Sequence, residues 1–153
     1  MGIRLSDEEA WQALAAAHTG ILTTLKADGA PVALPVWFVV HERTIGISAP
    51  SRTRKIGRVR QDPRGSFLVE SGERWAELRA VHLNGRIEIV EDPAVSAAIA
   101  EALDAKYAAF RTPTEAMPDA ARAHYRGRSI LRLHPEGRIL SWDNARLELR
   151  SER

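Results

Sequence analysis

Residues able to do chemistry are few in this sequence. Cys is absent, which removes thiolate nucleophiles, iron–sulfur ligation and zinc–thiolate sites together. Five His residues, His18, His41, His82, His124 and His134, show neither His-x-x-x-His nor His-Glu-x-x-His spacing, so no metal site is expected. There is no Gly-x-Ser-x-Gly elbow, no phosphate loop ending in Gly-Lys-Ser/Thr and no Gly-x-Gly-x-x-Gly. Carboxylates are plentiful, but they fall in helical and turn segments as solvated faces rather than as an acid–base pair. No catalytic side chain is therefore assigned, and if the chain is an enzyme its chemistry is expected to come from a bound cofactor.

The one concentrated feature is Ser51-Arg52-Thr53-Arg54-Lys55-Ile56-Gly57-Arg58-Val59-Arg60, where a strand end passes through Thr53, a candidate N-cap, into a cation-rich helix start. Cations there oppose the helix macrodipole, at a cost of roughly a few tenths of a kcal/mol. An anion seated between them relieves that cost, and a phosphate would take backbone N–H groups, a Thr hydroxyl and an Arg fork as donors. From the residues alone the cluster is open between a phosphate site and a solvated basic face. Nucleic acid is a weaker third reading, because no aromatic residues interleave with the cations. Among the Trp residues, Trp11 reads as a helix residue facing the core. Trp37 and Trp142 are each open between flanking a planar ring and packing in a core or dimer contact.

These groups sit in a chain of 153 residues, 44% hydrophobic and 27% charged, a composition that fits one domain over 1–153 with a core of its own. Of its 22 cations only Lys26, Lys55 and Lys106 are lysines, so 19 are Arg, and these hold the pI near 9.4 although the net charge is only +2. Bulk charge gives no case for nucleic acid. With no apolar run of about 20 residues and an N-terminus that turns acidic at once, no membrane span or secretion signal is expected, and the cytoplasm is the expected compartment.

The elements follow from local patterns. Ser6-Asp7-Glu8-Glu9 has the form of a capping box before an Ala-rich helix that Thr19-Gly20 stops. Ile21–Lys26 reads as a strand, Asp28-Gly29 as its hairpin turn and Pro31–Val40 as the return strand, with a bulge or an edge expected at Pro35 and backbone groups free there for a ligand. Thr44–Ala49 is a half-buried strand and Thr53–Gln61 a short helix closed by Asp62-Pro63. Gly65–Glu70 and Trp75–Glu91 are further strands. In the second, Val81, Leu83, Gly85, Ile87 and Ile89 face one way, and Asn84-Gly85 reads as a bulge within the strand rather than a turn. Asp92-Pro93 opens a helix running to Phe110, with Val95, Ile99, Leu103 and Tyr107 on one face. A punctuated loop, a short helix over Asp119–Tyr125 and the strands Ser129–Leu133 and Arg138–Trp142 complete a mainly β, α+β layout of five to seven antiparallel strands.

The runs Gly20–Pro31, Pro35-Val36-Trp37-Phe38, Arg54–Arg64 and Leu83–Ile89, in this order and spacing, resemble the pyridoxamine 5′-phosphate oxidase-like split-barrel family, nearest its flavin/deazaflavin oxidoreductases. The resemblance spans about residues 6 to 142 and implies a six-stranded antiparallel split β-barrel of Greek-key type with flanking helices. It also implies a homodimer with a cofactor in each of two interface clefts. By that resemblance Arg54 and Lys55 hold the cofactor phosphate, and the backbone of Pro35, Val36 and Trp37 lies along the ring. Ser48, Arg52, Thr53 and Arg58 are grouped with them, and Trp142 reaches a partner's cleft. Arg58 stands where many relatives carry Asn. Arg132-Leu133-His134 has the Arg-x-His form of a true oxidase's substrate site, but Pro135-Glu136-Gly137 and another strand follow, so His134 is read as a turn residue. The expected activity is hydride exchange between a small organic substrate and coenzyme F420, with FMN second; the alternative is a non-catalytic flavin- or heme-binding protein. The loops Ser71–Arg74 and Thr112–Pro118 are expected to select the substrate.

Overall fold

The computed structural model describes residues 2–147. Helix α1 (Asp7–Ala16) starts on the capping box: the Ser6 hydroxyl accepts from the Glu9 N–H, and the Glu9 carboxylate accepts from the Ser6 N–H at 2.7 Å. Strands β1 (Gly20–Leu25) and β2 (Pro31–Val36) form the expected hairpin, its turn set by Gly29 at φ +85° and an Asp28 carboxylate that accepts from the Ala30 N–H. Then come β3 (Val39–His41), β4 (Thr44–Pro50), α2 (Arg54–Gln61), β5 (Arg64–Ser71), β6 (Arg79–Ile89), α3 (Pro93–Tyr107), α4 (Asp119–His124), β7 (Arg128–Pro135) and β8 (Leu140–Asp143).

All strand pairs are antiparallel, in the order β2-β1-β5-β6-β7-β4-β3, with β8 added to β6. β2 and β3 stand at opposite ends of that order, yet only Trp37 and Phe38 separate them in the chain. The sheet must therefore curl until its two ends meet. Eight strands form where six were expected, for two reasons. The predicted strand Pro31–Val40 is cut at Trp37-Phe38, and the strand expected over Arg138–Trp142 forms as β8 and pairs beside β6, off the main path of the sheet. Pro35 itself keeps its place opposite Ile21, and it is tolerated because β2 is hydrogen-bonded on one side only.

β6 shows how little freedom the sheet has. Its burial alternates as predicted, with Val81, Leu83, Gly85 and Ile87 inward, and its register with β5 runs unbroken through Asn84 and Gly85, so there is no bulge. A Cβ at Gly85 would lie 2.2 Å from the His134 carbonyl oxygen, so the crossing of β6 and β7 requires glycine. His134 belongs to β7, opposite Arg86, and is not the turn residue expected from its flanking sequence. Residues 75–77 form a short 3₁₀ turn before β6, which trims the strand expected from Trp75.

Phe38, Ile45, Ile47, Phe67, Val81, Leu83, Leu131 and Leu133 fill the space inside the sheet, closed by Trp11 and Leu14 of α1 and Ile56 and Val59 of α2. A second cluster lies outside it, where Ile99, Leu103 and Tyr107 of α3 cover Val39 and Ile130. The 3.6-residue spacing of the α3 face thus lays that helix across the join between the two sheet ends.

Candidate functional site

Leaving Trp37 and Phe38 out of the ladder frees their backbone groups, and the C-terminal end of α3 takes up those of Phe38. The buried Tyr107 hydroxyl accepts from the Phe38 N–H at 2.9 Å and donates to the His18 carbonyl at 2.7 Å. Lys106 Nζ donates to the carbonyls of Ala17 and Phe38 at 2.8 and 2.9 Å and sits 4.0 Å from the Phe38 ring centroid. Burial pulls the Lys106 ammonium down to about 8 and pushes the Tyr107 hydroxyl up. The Trp37 indole stacks on the Tyr107 ring, with centroids 4.4 Å apart and planes 2° from parallel. Two adjacent residues of one helix therefore fix the backbone of the break and the ring that projects from it.

That ring lines a cleft of about 910 Å³, within the usual size of small-molecule sites. Ser48 and Pro50 of β4 form one wall, and Phe110, Arg111, Met117, Arg122, Tyr125 and Arg126 of the segment between α3 and β7, with Arg128 at the start of β7, form the other. Arg128 donates to the Ser48 hydroxyl at 2.9 Å, and the Ser51 N–H donates to the Gly127 carbonyl, which fastens the two walls at one end.

The basic cluster lies where β4 gives way to α2. Among the described residues none of Arg52, Arg54, Lys55, Arg58 and Arg60 forms an ion pair. Lys55 is half-buried, and burial together with the neighbouring Arg58 cation lowers its pKa. Arg58 Nε donates to the buried Thr24 hydroxyl at 2.8 Å, so this side chain is engaged against β1 rather than free in solvent. Thr53 stands at the N-cap, but its hydroxyl donates to the Pro50 carbonyl at 3.0 Å and makes no bond to the first turn of α2. The leading N–H groups of α2 are thus left without a side-chain acceptor beneath a set of unpaired cations.

Trp37 and Ser48 of the expected site share the cleft; Arg52, Thr53, Arg54, Lys55 and Arg58 gather at α2; and Pro35 and Val36 lead into the break, Pro35 exposed and Val36 buried in the core. Trp142 is not brought to them within one chain. It pairs with Ala80 at the start of β6, whereas β7 carries the Ser48 wall beyond the other end of β6, at Ile89. Ser71 also lies with Trp142 at the start of β6, away from the cleft, while Thr112 and Thr114 line it. Sequence reasoning missed Tyr107 and Lys106 as clamps, and Phe110, Arg111, Arg122, Tyr125, Arg126 and Arg128 as a wall. The only signal was a punctuated loop whose flanks are rich in Arg. Among the described residues no group of three or more His, Asp or Glu is placed to hold a metal ion, and no helix is long and apolar enough to cross a membrane.

Comparison with known proteins gives one family: the family model of pyridoxamine 5′-phosphate oxidase matches residues 6–140. The conserved hypothetical protein Rv2991 from Mycobacterium tuberculosis shares the fold at 29% identity and a TM-score of 0.81, over 99% of this chain and 93% of that one. An FAD-binding protein from Mesorhizobium loti has TM-score 0.68 at 21% identity, over 90% and 93% of the two chains. A heme-binding protein from Mycobacterium smegmatis has TM-score 0.68 at 23% identity, over 93% of this chain and 60% of that one. No curated protein matches the chain.

Proposed function

The chain belongs to the pyridoxamine 5′-phosphate oxidase family, and from that premise we propose that it is an oxidoreductase that binds a phosphate-bearing flavin or deazaflavin and exchanges hydride with a small organic substrate. The observation that carries this reading is the unpaired cation set on the uncapped start of α2. Half-burying Lys55 beside Arg58, with no carboxylate paired to either among the described residues, is unfavourable unless an anion joins them, and a phosphate fits a cradle of N–H groups and cations.

When bound, such a cofactor supplies the two-electron chemistry that no side chain here carries. The protein's part is to hold and orient. Arg54 and Lys55 take the phosphate, Arg58 supports them from its bond to Thr24, and Trp37, held at the break, offers its backbone and an indole to a flat ring. The cations continuing to Arg60 suit the long anionic tail of coenzyme F420; FMN is the second candidate, and FAD is added by the name of the Mesorhizobium loti neighbour. A second copy of the chain completes the site in this reading. Leu34 and Pro35 are exposed on β2, an edge strand one partner could cover, and Trp142 would come from that partner.

Titration of the purified protein with F420, FMN and FAD, followed by visible absorbance, tests the reading. Arg54→Ala and Lys55→Ala are expected to weaken binding at least tenfold while leaving the unfolding midpoint in place. Unchanged dissociation constants in both variants remove the phosphate assignment. Stoichiometric binding without turnover over a broad panel of acceptors would move the protein to the non-catalytic alternative.

A further inference from the structure

We infer that the cleft between β4 and the segment 110–128 is a binding site for a planar aromatic carboxylate, distinct from the phosphate site on α2. Four guanidinium groups, of Arg111, Arg122, Arg126 and Arg128, line it, and none of its lining residues is acidic. Arg111 and Arg128 both converge on one oxygen of Asp104, at 2.7 and 3.5 Å, and Arg122 pairs with Asp119. Arg126 has no carboxylate partner among the described residues. Two carboxylates thus face four cations, and the surplus charge is held at a concave surface where a bidentate Arg–carboxylate contact is geometrically favoured.

Four aromatic rings, of Trp37, Tyr107, Phe110 and Tyr125, share the lining with Pro50, Leu103, Met117 and three hydroxyl side chains. Phe110 and Tyr125 are 60% and 58% exposed, so neither ring is explained by core packing, and both edge the same cavity as the Tyr107–Trp37 stack. Arg111 lies 5.8 Å from the centroid of Trp37, which places a planar cation against a planar ring inside the cleft. Rings that stack, guanidinium planes that stack and also fork, and a volume of about 910 Å³ select a flat organic anion over an aliphatic chain or a bare ion. As a substrate class for the proposed hydride exchange this rests on the cofactor reading above; as a binding site it does not.

The test uses cofactor-free protein titrated with 2-naphthoate and with its neutral isostere 2-naphthamide, read by intrinsic Trp fluorescence and calorimetry. Saturable 2-naphthoate binding at least tenfold tighter than 2-naphthamide is expected, weakened at least fivefold in Arg126→Ala and unchanged in Lys55→Ala. Arg126→Gln, which keeps bulk without charge, should behave like Arg126→Ala, while circular dichroism confirms that both are folded. Equal affinity for the acid and the amide, no saturable binding, or loss in Lys55→Ala to the same extent as in Arg126→Ala would overturn the inference. The two readings fail separately: loss of F420, FMN and FAD binding with 2-naphthoate intact sinks only the cofactor reading, and the reverse sinks only this one.

Discussion

Two arginine-rich regions of this molecule differ in how they are assembled. In the first, five cations fall within the nine residues Arg52 to Arg60, so the covalent chain alone brings them together along α2, with Arg52, Arg54 and Lys55 at its start and Arg58 and Arg60 in its last turn, and among the described residues no carboxylate pairs with them. In the second, Arg111, Arg122, Arg126 and Arg128 are dispersed from the end of α3 through α4 to the start of β7 and meet only because that stretch folds back beside β4. The first carries unbalanced charge over helix N–H groups, which suits a phosphate. The second combines partly balanced charge with exposed rings, which suits a flat acid. Cation content alone does not separate the two; the neighbours do.

The largest expected effect concerns the clamp that only the second region has. Tyr107→Phe keeps the stack on Trp37 but strands the buried Phe38 N–H, at an expected cost of about 1–3 kcal/mol. Urea unfolding measures it, and a change below about 0.5 kcal/mol would mean that the break needs no such support. Next, Lys55→Ala should weaken cofactor binding at least tenfold, or about 1.4 kcal/mol, without moving 2-naphthoate affinity; a parallel loss of both ligands would merge the two regions into one site.

A smaller effect is expected at Thr53. Because its hydroxyl makes no cap bond, Thr53→Val should cost less stability than Asp92→Ala, whose carboxylate accepts from the N–H groups of Ala94 and Val95 at 2.8 and 3.2 Å. The latter loss is expected near 1 kcal/mol by thermal unfolding, and equal losses would restore Thr53 as a working cap.

The last is a pH effect. The pKa of Lys106 is about 8 in the folded protein against 10.5 for an ordinary lysine, so between those values the unfolded chain binds a proton that the folded one has released. Stability relative to Lys106→Met should therefore rise as pH goes from 8 to 10.5, and a flat difference would show that burial does not perturb the ammonium.

Much of the fold could be read locally. The Ser6 capping box, the Asp28-Gly29 turn, the alternation of β6 and the α3 face each depend on residues within a few positions of one another, and each is present. What failed depended on distance. The strand Pro31–Val40 looked continuous because nothing local interrupts it after Pro35; the interruption at Trp37-Phe38 exists because one stretch must serve both ends of a curled sheet. His134 looked like a turn residue beside Pro135 and Gly137, yet pairing with Arg86 extends β7 through it. Thr53 had the right position for a cap, but its hydroxyl is turned to donate to the Pro50 carbonyl and accepts nothing from the first turn of α2.

By itself the sequence determined that this protein carries no nucleophile of the thiolate or elbow type, that its elements alternate as an antiparallel α+β domain, and that one helix begins under a cluster of cations. Those are properties of composition, periodicity and adjacency, which a linear chain holds whatever its shape. Tertiary structure alone decided that Tyr107 and Lys106 would hold a strand break drawn from residues far behind them, and that dispersed arginines and rings would face one another across a cleft. Side-chain hydrogen bonds and stacking act over only a few ångströms, so contacts between distant residues exist only once the sheet has curled and α3 has closed over its join.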